Sequence, residues 1–314
     1  MKLVVSSYQT NGNSIGLYEI TNGIYRCLSS SDILALSFLV SDGKYVYTYE
    51  KSDWLTLCSY TITNNQLTLL DKITLPIKSA THLCLSLKNK ALFGCSYSDG
   101  AYFYVSIANG KFIKVNECRR QGVDDILSRC HCVFLNKEET ILGIVNIALD
   151  AIYFYKINED NLELIDLIKL PSGCGPRHAI YNQDDSLIYV MTEYSNEVIV
   201  INMQTKEIIE KISTIPNYQG ESSGATLFFT KDYQYLYASN RGEDSIAKFK
   251  VLTNGKLIYQ NSFSCFGKHP RHMILSNDGK YIISCNKDSN NLVLIDLNTE
   301  KAVLNIPYKC FLCE

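Results

Sequence analysis

The 314-residue sequence has little proline and no excess of charge of either sign. It contains six prolines and one tryptophan, and its 30 basic and 32 acidic side chains give a formal net charge of −2. A near balance of charge provides no basic surface for nucleic acid or for an anionic membrane. We therefore expect no nucleic-acid partner, and a few placed cations must hold any anionic ligand.

The chain also lacks a long hydrophobic run. No stretch approaches the ~18 consecutive apolar residues that a transmembrane helix needs. The apolar run near the N-terminus, Leu3-Val4-Val5, is far too short for a signal peptide. We therefore expect a cytoplasmic protein with no membrane partner.

The twelve cysteines are not spaced as a disulfide framework. Most stand singly inside apolar runs, as Cys285 does, where a free thiol behaves as a small hydrophobe. The close pairs Cys130/Cys132 and Cys310/Cys313 have no second pair at zinc-finger spacing, so we predict no metal site. Reduced thiols agree with a cytoplasmic location.

The sequence does contain apolar alternation with a period of two. Short β-branched or aromatic runs bounded by turn residues recur, among them 46–49, 152–155 and 198–201, and tyrosine is the commonest aromatic residue, with 22 copies. Such runs are typical of β-strands, and no long helical pattern with caps interrupts them. The sequence therefore predicts an all-β protein.

One unit of strands repeats along the chain. Its first half is an apolar strand, a polar turn and a second apolar strand, and it recurs at 36–48, 83–95, 132–145, 179–192, 227–239 and 273–285. The residues that follow the turns are 46 to 50 positions apart: Tyr45, Ala91, Ile141, Leu187, Tyr235 and Tyr281. A period of this length with three or four strands per unit is typical of a propeller blade.

Six copies of the unit leave the two ends of the chain unassigned. Residues 1–32 hold two further strands, 3–7 and 14–20, and we expect the C-terminal strand 302–306 to complete a seventh blade with them. Strands from both termini would then close the ring and remove its open edges. Because no linker or composition shift divides the chain, we predict one domain, 1–314, an all-β seven-bladed β-propeller with four-stranded antiparallel blades.

Polar residues cluster at matching places in several blades. Three first strands open on such a cluster: Ser128-Arg129-Cys130-His131, Gly175-Pro176-Arg177-His178 and Lys268-His269-Pro270-Arg271-His272. Two second strands end on a charge: Glu193 and Arg241. The start of a first strand and the end of the second lie at the same end of a hairpin. We therefore expect these groups to be neighbours around one mouth of the central channel.

Arginines and a histidine around a carboxylate suit a small anionic substrate. Arginine binds carboxylate or phosphate bidentately through its planar fork, and an arginine beside a reacting carbonyl can stabilise the developing oxyanion. His131 and Glu193 are both candidates for the general base that activates a water. Each residue alone has an ordinary explanation as a turn residue or a solvated charge. Their matching positions in the blades favour a site.

Other catalytic chemistries lack their motifs. Ser128 and Ser222 stand in no nucleophile elbow. Cys130 and Cys132 flank His131 but have no third orienting group, as a thiol nucleophile would require. There is no glycine-rich phosphate loop and no dinucleotide fingerprint, so we predict that the protein needs no cofactor.

At these motifs the sequence resembles the propeller-type lactonase family, which contains 6-phosphogluconolactonases and carboxy-cis,cis-muconate cyclases. The resemblance covers essentially the whole chain. It rests on the following segments: Gly175-Pro176-Arg177-His178, Asn240-Arg241-Gly242-Glu243-Asp244, Pro270-Arg271-His272 with Asn277-Asp278-Gly279, Arg120-Gln121 and Asp150.

The resemblance implies a catalytic quartet of one histidine, two arginines and one glutamate: His131, Arg177, Glu193 and Arg241. We add four substrate-binding residues: Arg271, His178, Arg129 and Asn240. Two positions depart from the family pattern. Arg129 stands where members often have a histidine, and Asn146 where they often have an aspartate, so both changes leave the site more cationic.

We therefore expect an enzyme, a metal-independent lactonase for a small anionic sugar lactone. The first candidate reaction is hydrolysis of 6-phosphoglucono-δ-lactone to 6-phosphogluconate in the pentose phosphate pathway. The expected partner is that small molecule alone, with the chain a monomer or a weak homo-oligomer. Two alternatives stay open: a muconate-type lactonising cyclase that uses the same cationic pocket, and a non-catalytic binding propeller, since fold alone does not decide function.

Overall fold

The structure, a computed structural model, describes residues 1–7, 14–21, 23–31, 38–50, 52–121, 127–308 and 310–313. These residues form 28 β-strands arranged in seven four-stranded sheets. The described ranges contain no helix, and so none that is long and apolar enough to cross a membrane. The predicted all-β class and the seven four-stranded antiparallel blades are confirmed.

The chain divides into two compact units, of which the first comprises Met1–Leu167 and Lys309–Glu314. Its strands, sheet by sheet, are β1 (Lys2–Ser7), β2 (Ile15–Thr21) and β3 (Ile24–Ser31) with β28 (Cys310–Cys313); β4 (Val40–Ser41), β5 (Tyr45–Glu50), β6 (Leu55–Thr63) and β7 (Gln66–Leu75); β8 (His82–Ser86), β9 (Ala91–Ser96), β10 (Ala101–Ala108) and β11 (Lys111–Arg120); and β12 (Cys130–Leu135), β13 (Ile141–Asn146), β14 (Ala151–Ile157) and β15 (Leu162–Lys169). The last strand, β15, ends two residues beyond the boundary.

The second unit comprises Ile168–Tyr308. Its strands are β16 (Pro176–Tyr181), β17 (Leu187–Thr192), β18 (Glu197–Asn202) and β19 (Ile208–Ser213); β20 (Ser223–Phe229), β21 (Tyr235–Arg241), β22 (Ser245–Val251) and β23 (Leu257–Ser264); and β24 (Pro270–Leu275), β25 (Tyr281–Asn286), β26 (Asn291–Asp296) and β27 (Lys301–Pro307). That the whole chain is a single domain stays a prediction.

The second strands of six sheets begin where the repeat predicts them. Strands β5, β9, β13, β17, β21 and β25 start at Tyr45, Ala91, Ile141, Leu187, Tyr235 and Tyr281. Carboxylates fix several of the preceding turns: Asp42 Oδ1 accepts the N–H of Tyr45 at 2.6 Å, and Asp278 Oδ1 accepts the N–H of Lys280 at 3.1 Å. The first copy of the repeat, 36–48, begins outside the described residues.

The strand that completes the first sheet differs from the prediction. Residues 302–306 were expected there, but they belong to β27, which pairs with β26 as the outer strand of the last sheet. Strand β28 pairs with β1 instead, with Val5 opposite Cys313 and Ser6 opposite Leu312. The prediction was wrong because every blade has a fourth strand. In the last blade, residues 302–306 form that fourth strand and cannot also pair with β1. Closure by strands from both termini is confirmed.

Each unit has its own apolar core. In the first unit Tyr47 and Phe103 are fully buried among aliphatic side chains, and in the second unit Tyr189 and Phe249 are buried in the same way. Full burial of one large apolar side chain contributes roughly 1.5–3 kcal/mol. The residues on either side of Tyr189 in β17 are buried as well, so this strand packs on both of its faces and its register is fixed by the core.

Candidate active site

Three first strands, β12, β16 and β24, each begin with a β-bulge. In β16 the register skips Arg177, which lies between Pro176 and His178. His131 in β12 and Arg271 in β24 are skipped at the equivalent place in their sheets. Because a bulge turns a side chain out of the regular alternation, a charged residue can occupy this position without displacing the neighbouring core residues.

The second strands carry their charges at the same end of the sheet. Glu193 follows β17 directly, and its N–H donates to the carbonyl of Gly175 at 2.7 Å. Arg241 is the last residue of β21 and stands opposite Ser223, the first residue of β20. In each of these sheets the start of the first strand and the end of the second are therefore neighbours.

Arg177 and Arg241 hold one carboxylate between them. Arg177 Nε and Arg241 Nη2 each lie 3.0 Å from Oε2 of Glu193. The two arginine side chains are buried, at 3% and 8% exposure, whereas that of Glu193 is 23% exposed. The structure thus brings together three of the four predicted catalytic residues.

Backbone carbonyls of β20 fix both guanidinium groups. Arg177 Nη1 donates to the carbonyl of Ala225, and Arg241 Nη2 donates to that of Gly224 at 2.6 Å. Within the described residues, Arg241 Nη1 and Glu193 Oε1 have no hydrogen-bond partner. Burial lowers the pKa of Arg241 and the Glu193 carboxylate opposes this shift, so the group stays charged at neutral pH. The cluster therefore offers one fixed cation and one open carboxylate oxygen.

Arg271 and His269 lie beside this cluster. The charge of Arg271 is one of the influences that lower the pKa of Arg241. The N–H of His269 donates to Asp244 Oδ1 at 2.7 Å, and its Nδ1 lies 3.2 Å from Asp288 Oδ2. Burial first, and then the charge of Arg241, lower the pKa of His269 to about 4. This histidine is therefore neutral at pH 7, and no role for it followed from the sequence.

The predicted substrate-binding residues His178 and Asn240 are buried and engaged. His178 Nδ1 lies 3.0 Å from the hydroxyl oxygen of Thr226, and its ring centroid is 6.2 Å from that of His272. Asn240 Nδ2 donates to the carbonyl of Thr214 at 3.2 Å, and Asn240 Oδ1 accepts the Thr214 hydroxyl at 2.6 Å. These contacts hold the strand ends in place, and the role of both residues toward a substrate stays a prediction.

The fourth predicted catalytic residue, His131, lies in the first unit and is 7% exposed. Its ring stands edge-on to that of Tyr97, with the centroids 6.1 Å apart. The guanidinium carbon of Arg129 lies 4.6 Å from the Tyr97 centroid, a cation–π contact. Sequence reasoning missed Tyr97. The repeat contained the signal, because Tyr97 follows β9 just as Glu193 follows β17.

Asn146 organises the residues around Arg129. It is fully buried, and its Nδ2 donates to Gln121 Oε1 at 3.0 Å and to the Ser128 hydroxyl at 2.7 Å. Its Oδ1 accepts the N–H of Arg129 at 3.1 Å. Asn240 has the same place in its own sheet. The departure from the family pattern at Asn146 therefore lies in a structural hydrogen-bond network.

Two side chains of the first unit are of the type that soft metals prefer. His82 Nε2 lies 3.8 Å from Cys132 Sγ. A tetrahedral zinc site has four protein ligands, and these two side chains would supply half of them. That the protein acts without a metal or cofactor stays a prediction.

Comparison with known proteins agrees with this architecture. Residues 2–307 match a family model described as lactonase, seven-bladed β-propeller. A 6-phosphogluconolactonase of Bacillus subtilis is 27% identical to this chain over 319 residues, which cover 95% of this chain and 91% of that protein.

Solved structures share the fold. A periplasmic gluconolactonase of Pseudomonas aeruginosa has a TM-score of 0.88 at 20% identity and covers 100% of this chain and 98% of its own. A putative 6-phosphogluconolactonase of Bacteroides fragilis has a TM-score of 0.86 at 23% identity, covering 100% and 97%. The family inferred from the motifs is confirmed, and this chain belongs to the seven-bladed β-propeller lactonases.

Proposed function

We propose that this lactonase hydrolyses 6-phosphoglucono-δ-lactone to 6-phosphogluconate. The observation that carries the proposal is the single oxygen of Glu193 that Arg177 and Arg241 share. This contact fixes two cations beside one open carboxylate oxygen, an arrangement suited to an anionic substrate and an anionic transition state. The name of the Bacillus subtilis relative supports the choice of substrate.

Arg241 is the group we assign to the lactone carbonyl. Its Nη1 has no partner among the described residues, while its other nitrogens are held by Glu193 and the backbone of β20. A donor fixed in this way need not reorganise as negative charge develops on the carbonyl oxygen. Arg271, half-buried beside Arg241, is the group we assign to the phosphate, since guanidinium binds phosphate bidentately.

The reaction consumes one water. Its oxygen attacks the lactone carbonyl carbon, and the carbonyl electron pair moves to the oxygen that Arg241 stabilises. When the tetrahedral intermediate collapses, the bond between that carbon and the ring oxygen breaks, and the ring oxygen takes a proton to become a hydroxyl. The acid that forms ionises at neutral pH, so the net products are the open-chain carboxylate and one proton.

Glu193 and His131 are the two groups proposed to orient and deprotonate the water. Glu193 Oε1 is open to a water within the described residues, because both ion pairs use Oε2. His131 occupies the bulge position of its sheet that Arg177 occupies in another. Glu193→Gln and His131→Gln distinguish the two candidates. The base must be deprotonated to act, so the variant that loses the acidic limb of the kcat–pH profile has lost the base.

The cytoplasm and the pentose phosphate pathway are proposed as the setting of this activity. Ten of the twelve cysteines lie among residues whose side chains are described, and all ten are free thiols. Free thiols in this number are typical of a reducing compartment. Activity in the soluble cytosolic fraction of the source cells, and its absence from secreted fractions, would support this setting.

The substrate is tested by comparing freshly generated 6-phosphoglucono-δ-lactone with glucono-δ-lactone, with both rates corrected for spontaneous hydrolysis. We expect kcat/KM to be at least about tenfold higher for the phosphorylated lactone, because one charge-assisted contact is worth that factor. Arg271→Ala removes this preference and leaves turnover of glucono-δ-lactone unchanged, whereas Lys268→Ala, at an exposed neighbouring cation, leaves both rates unchanged. Equal rates on both lactones in the wild type would reject the phosphosugar as substrate.

A further inference from the structure

Tyr194 stands directly after Glu193 and presents a large aromatic surface beside the ion-pair cluster. The residue is 54% exposed, although an exposed aromatic ring gains nothing from burial in the core. Exposed aromatic side chains next to converging polar groups are typical of ligand sites. Its position, rather than its exposure alone, makes it a candidate for substrate contact.

The backbone holds Tyr194 in place. Its N–H donates to the carbonyl of Cys174 at 3.2 Å, one residue before the carbonyl of Gly175 that fixes Glu193. The ring packs on Gly175, where an added Cβ would overlap it. Gly175 also has a φ of 63°, which favours glycine. Both this backbone conformation and the Tyr194 ring therefore disfavour a side chain at position 175. The ring is therefore anchored to the same loop that leads into Arg177.

Tyr194 lies near enough to Arg241, within the second unit, to affect its charge. Burial is the largest influence on the pKa of Arg241 and lowers it. The Glu193 carboxylate, and more weakly the Tyr194 phenol, raise this pKa. Tyr194, Glu193 and Arg241 are thus neighbours within the second unit.

We propose that Tyr194 is a substrate-contact residue whose exposed face packs on the carbon-bearing face of the sugar ring of the lactone. A pyranose ring places its hydroxyl groups at the rim and its C–H groups on the faces. Arginines suit the rim and the phosphate, and an aromatic ring suits the apolar face. The identity of the ring rests on the proposed function, which makes the substrate a six-membered sugar lactone.

The test separates ring recognition from hydrolysis. The probe is 1,5-anhydroglucitol 6-phosphate, which has the pyranose ring and the phosphate but no carbonyl, and its Kd is measured calorimetrically for the wild type, Tyr194→Phe, Tyr194→Leu and Tyr194→Ser. We expect Phe to keep the wild-type Kd within twofold, and Leu and Ser to raise it about tenfold. Tyr25→Leu, at an exposed tyrosine of β3, is the matched control and should leave the Kd unchanged.

The same variants are then assayed with the lactone. We expect Leu and Ser to raise KM about tenfold with kcat within twofold of the wild type, since stacking binds substrate and transition state alike. An unchanged Kd in Leu and Ser, or no binding of the probe by the wild type, overturns the proposal. Probe binding that depends on Tyr194, together with no lactone hydrolysis, would uphold the contact and reject the proposed function.

Discussion

Arg177 and Arg241 contact the same oxygen atom, Oε2 of Glu193, each at 3.0 Å. Because one oxygen serves both guanidinium groups, the second oxygen of the carboxylate faces no protein donor among the described residues. The cluster of two cations and one anion keeps a net positive charge. A partly exposed carboxylate between buried cations therefore both orders the arginines and leaves them able to stabilise an added negative charge.

The first prediction concerns the charge of Glu193. Glu193→Gln keeps the shape of the side chain but leaves two buried guanidinium groups without a counter-charge. We expect kcat/KM to fall at least about 100-fold and the free energy of unfolding to fall by about 3 kcal/mol. Steady-state kinetics and urea unfolding measure these effects. Glu207→Gln, at an exposed carboxylate of the same blade, is the control, and equal behaviour of the two variants would contradict the prediction.

The second prediction uses two neighbouring glycines. Gly173 and Gly175 both have a positive φ, 78° and 63°, but a Cβ at Gly173 meets nothing within 4 Å while one at Gly175 overlaps Tyr194. Gly173→Ala should cost only the backbone term of about 1 kcal/mol. Gly175→Ala should cost a further 1–3 kcal/mol, roughly the cost of overpacking, and should also lower kcat/KM. Similar melting temperatures for the two variants would show that the Tyr194 ring is not held on Gly175.

Much of this architecture could be predicted from the sequence because the blade repeat is strict at its turns. The polar turns set the starts of the second strands, and all six, from Tyr45 to Tyr281, begin where the repeat places them. The same repeat placed Arg177, Glu193 and Arg241 at one end of their sheets, since that inference needs only hairpin geometry. The repeat predicted only that these residues are neighbours, and the structure adds the ion pairs that join them.

Other features depended on contacts that the repeat does not encode. Strands β27 and β28 are both short and apolar, and only the count of four strands per blade shows which one pairs with β1. The bulge at Arg177 is a register shift with no residue type of its own. Tyr97 was missed because its partners, His131 and Arg129, lie at the start of the next blade along the chain.

The third prediction concerns Asn146, which is fully buried and whose Nδ2 donates to Gln121 Oε1 and to the Ser128 hydroxyl. A carboxylate cannot donate, so Asn146→Asp should lose both bonds and bury an unpaired charge, at a cost of at least about 2 kcal/mol. Asn254→Asp is the matched control, because Asn254 lies in an exposed turn where its Oδ1 accepts the N–H of Lys256 at 3.1 Å, a bond that a carboxylate keeps. Urea midpoints measure both effects. Wild-type stability of Asn146→Asp would refute the structural role of the amide.

The fourth prediction is a pH dependence of stability that depends on His269. Burial, reinforced by Arg241 and opposed by Asp288, lowers the pKa of His269 to about 4, whereas a histidine in an unfolded chain titrates near 6.5. Between these values the unfolded chain binds a proton that the folded chain does not. The free energy of unfolding should therefore fall as the pH falls from about 6.5 to about 4.

His269→Asn removes this titration while keeping a residue that tolerates the φ of 62° at this position. We expect the variant to show a shallower loss of stability across that pH window and to match the wild type in slope above pH 7. Urea unfolding at pH 4.5, 5.5 and 7.5 gives the comparison. Identical slopes for both proteins below pH 6.5 would show that His269 is not held in its neutral form.

The role of the ion-pair cluster is tested most directly by the lactonase activity of Arg177→Ala on freshly generated 6-phosphoglucono-δ-lactone, corrected for spontaneous hydrolysis. The Arg177 side chain is 3% exposed and contacts Glu193. Its removal takes away one of the two cations and leaves the Glu193 carboxylate paired with Arg241 alone. Arg26→Ala, at an exposed arginine of β3, is the control. We expect rapid hydrolysis by the wild type and by Arg26→Ala, and a loss of at least about 100-fold in kcat/KM for Arg177→Ala. A wild-type kcat/KM in Arg177→Ala would contradict the assignment of this site, and no wild-type rate above background would contradict the proposed reaction itself.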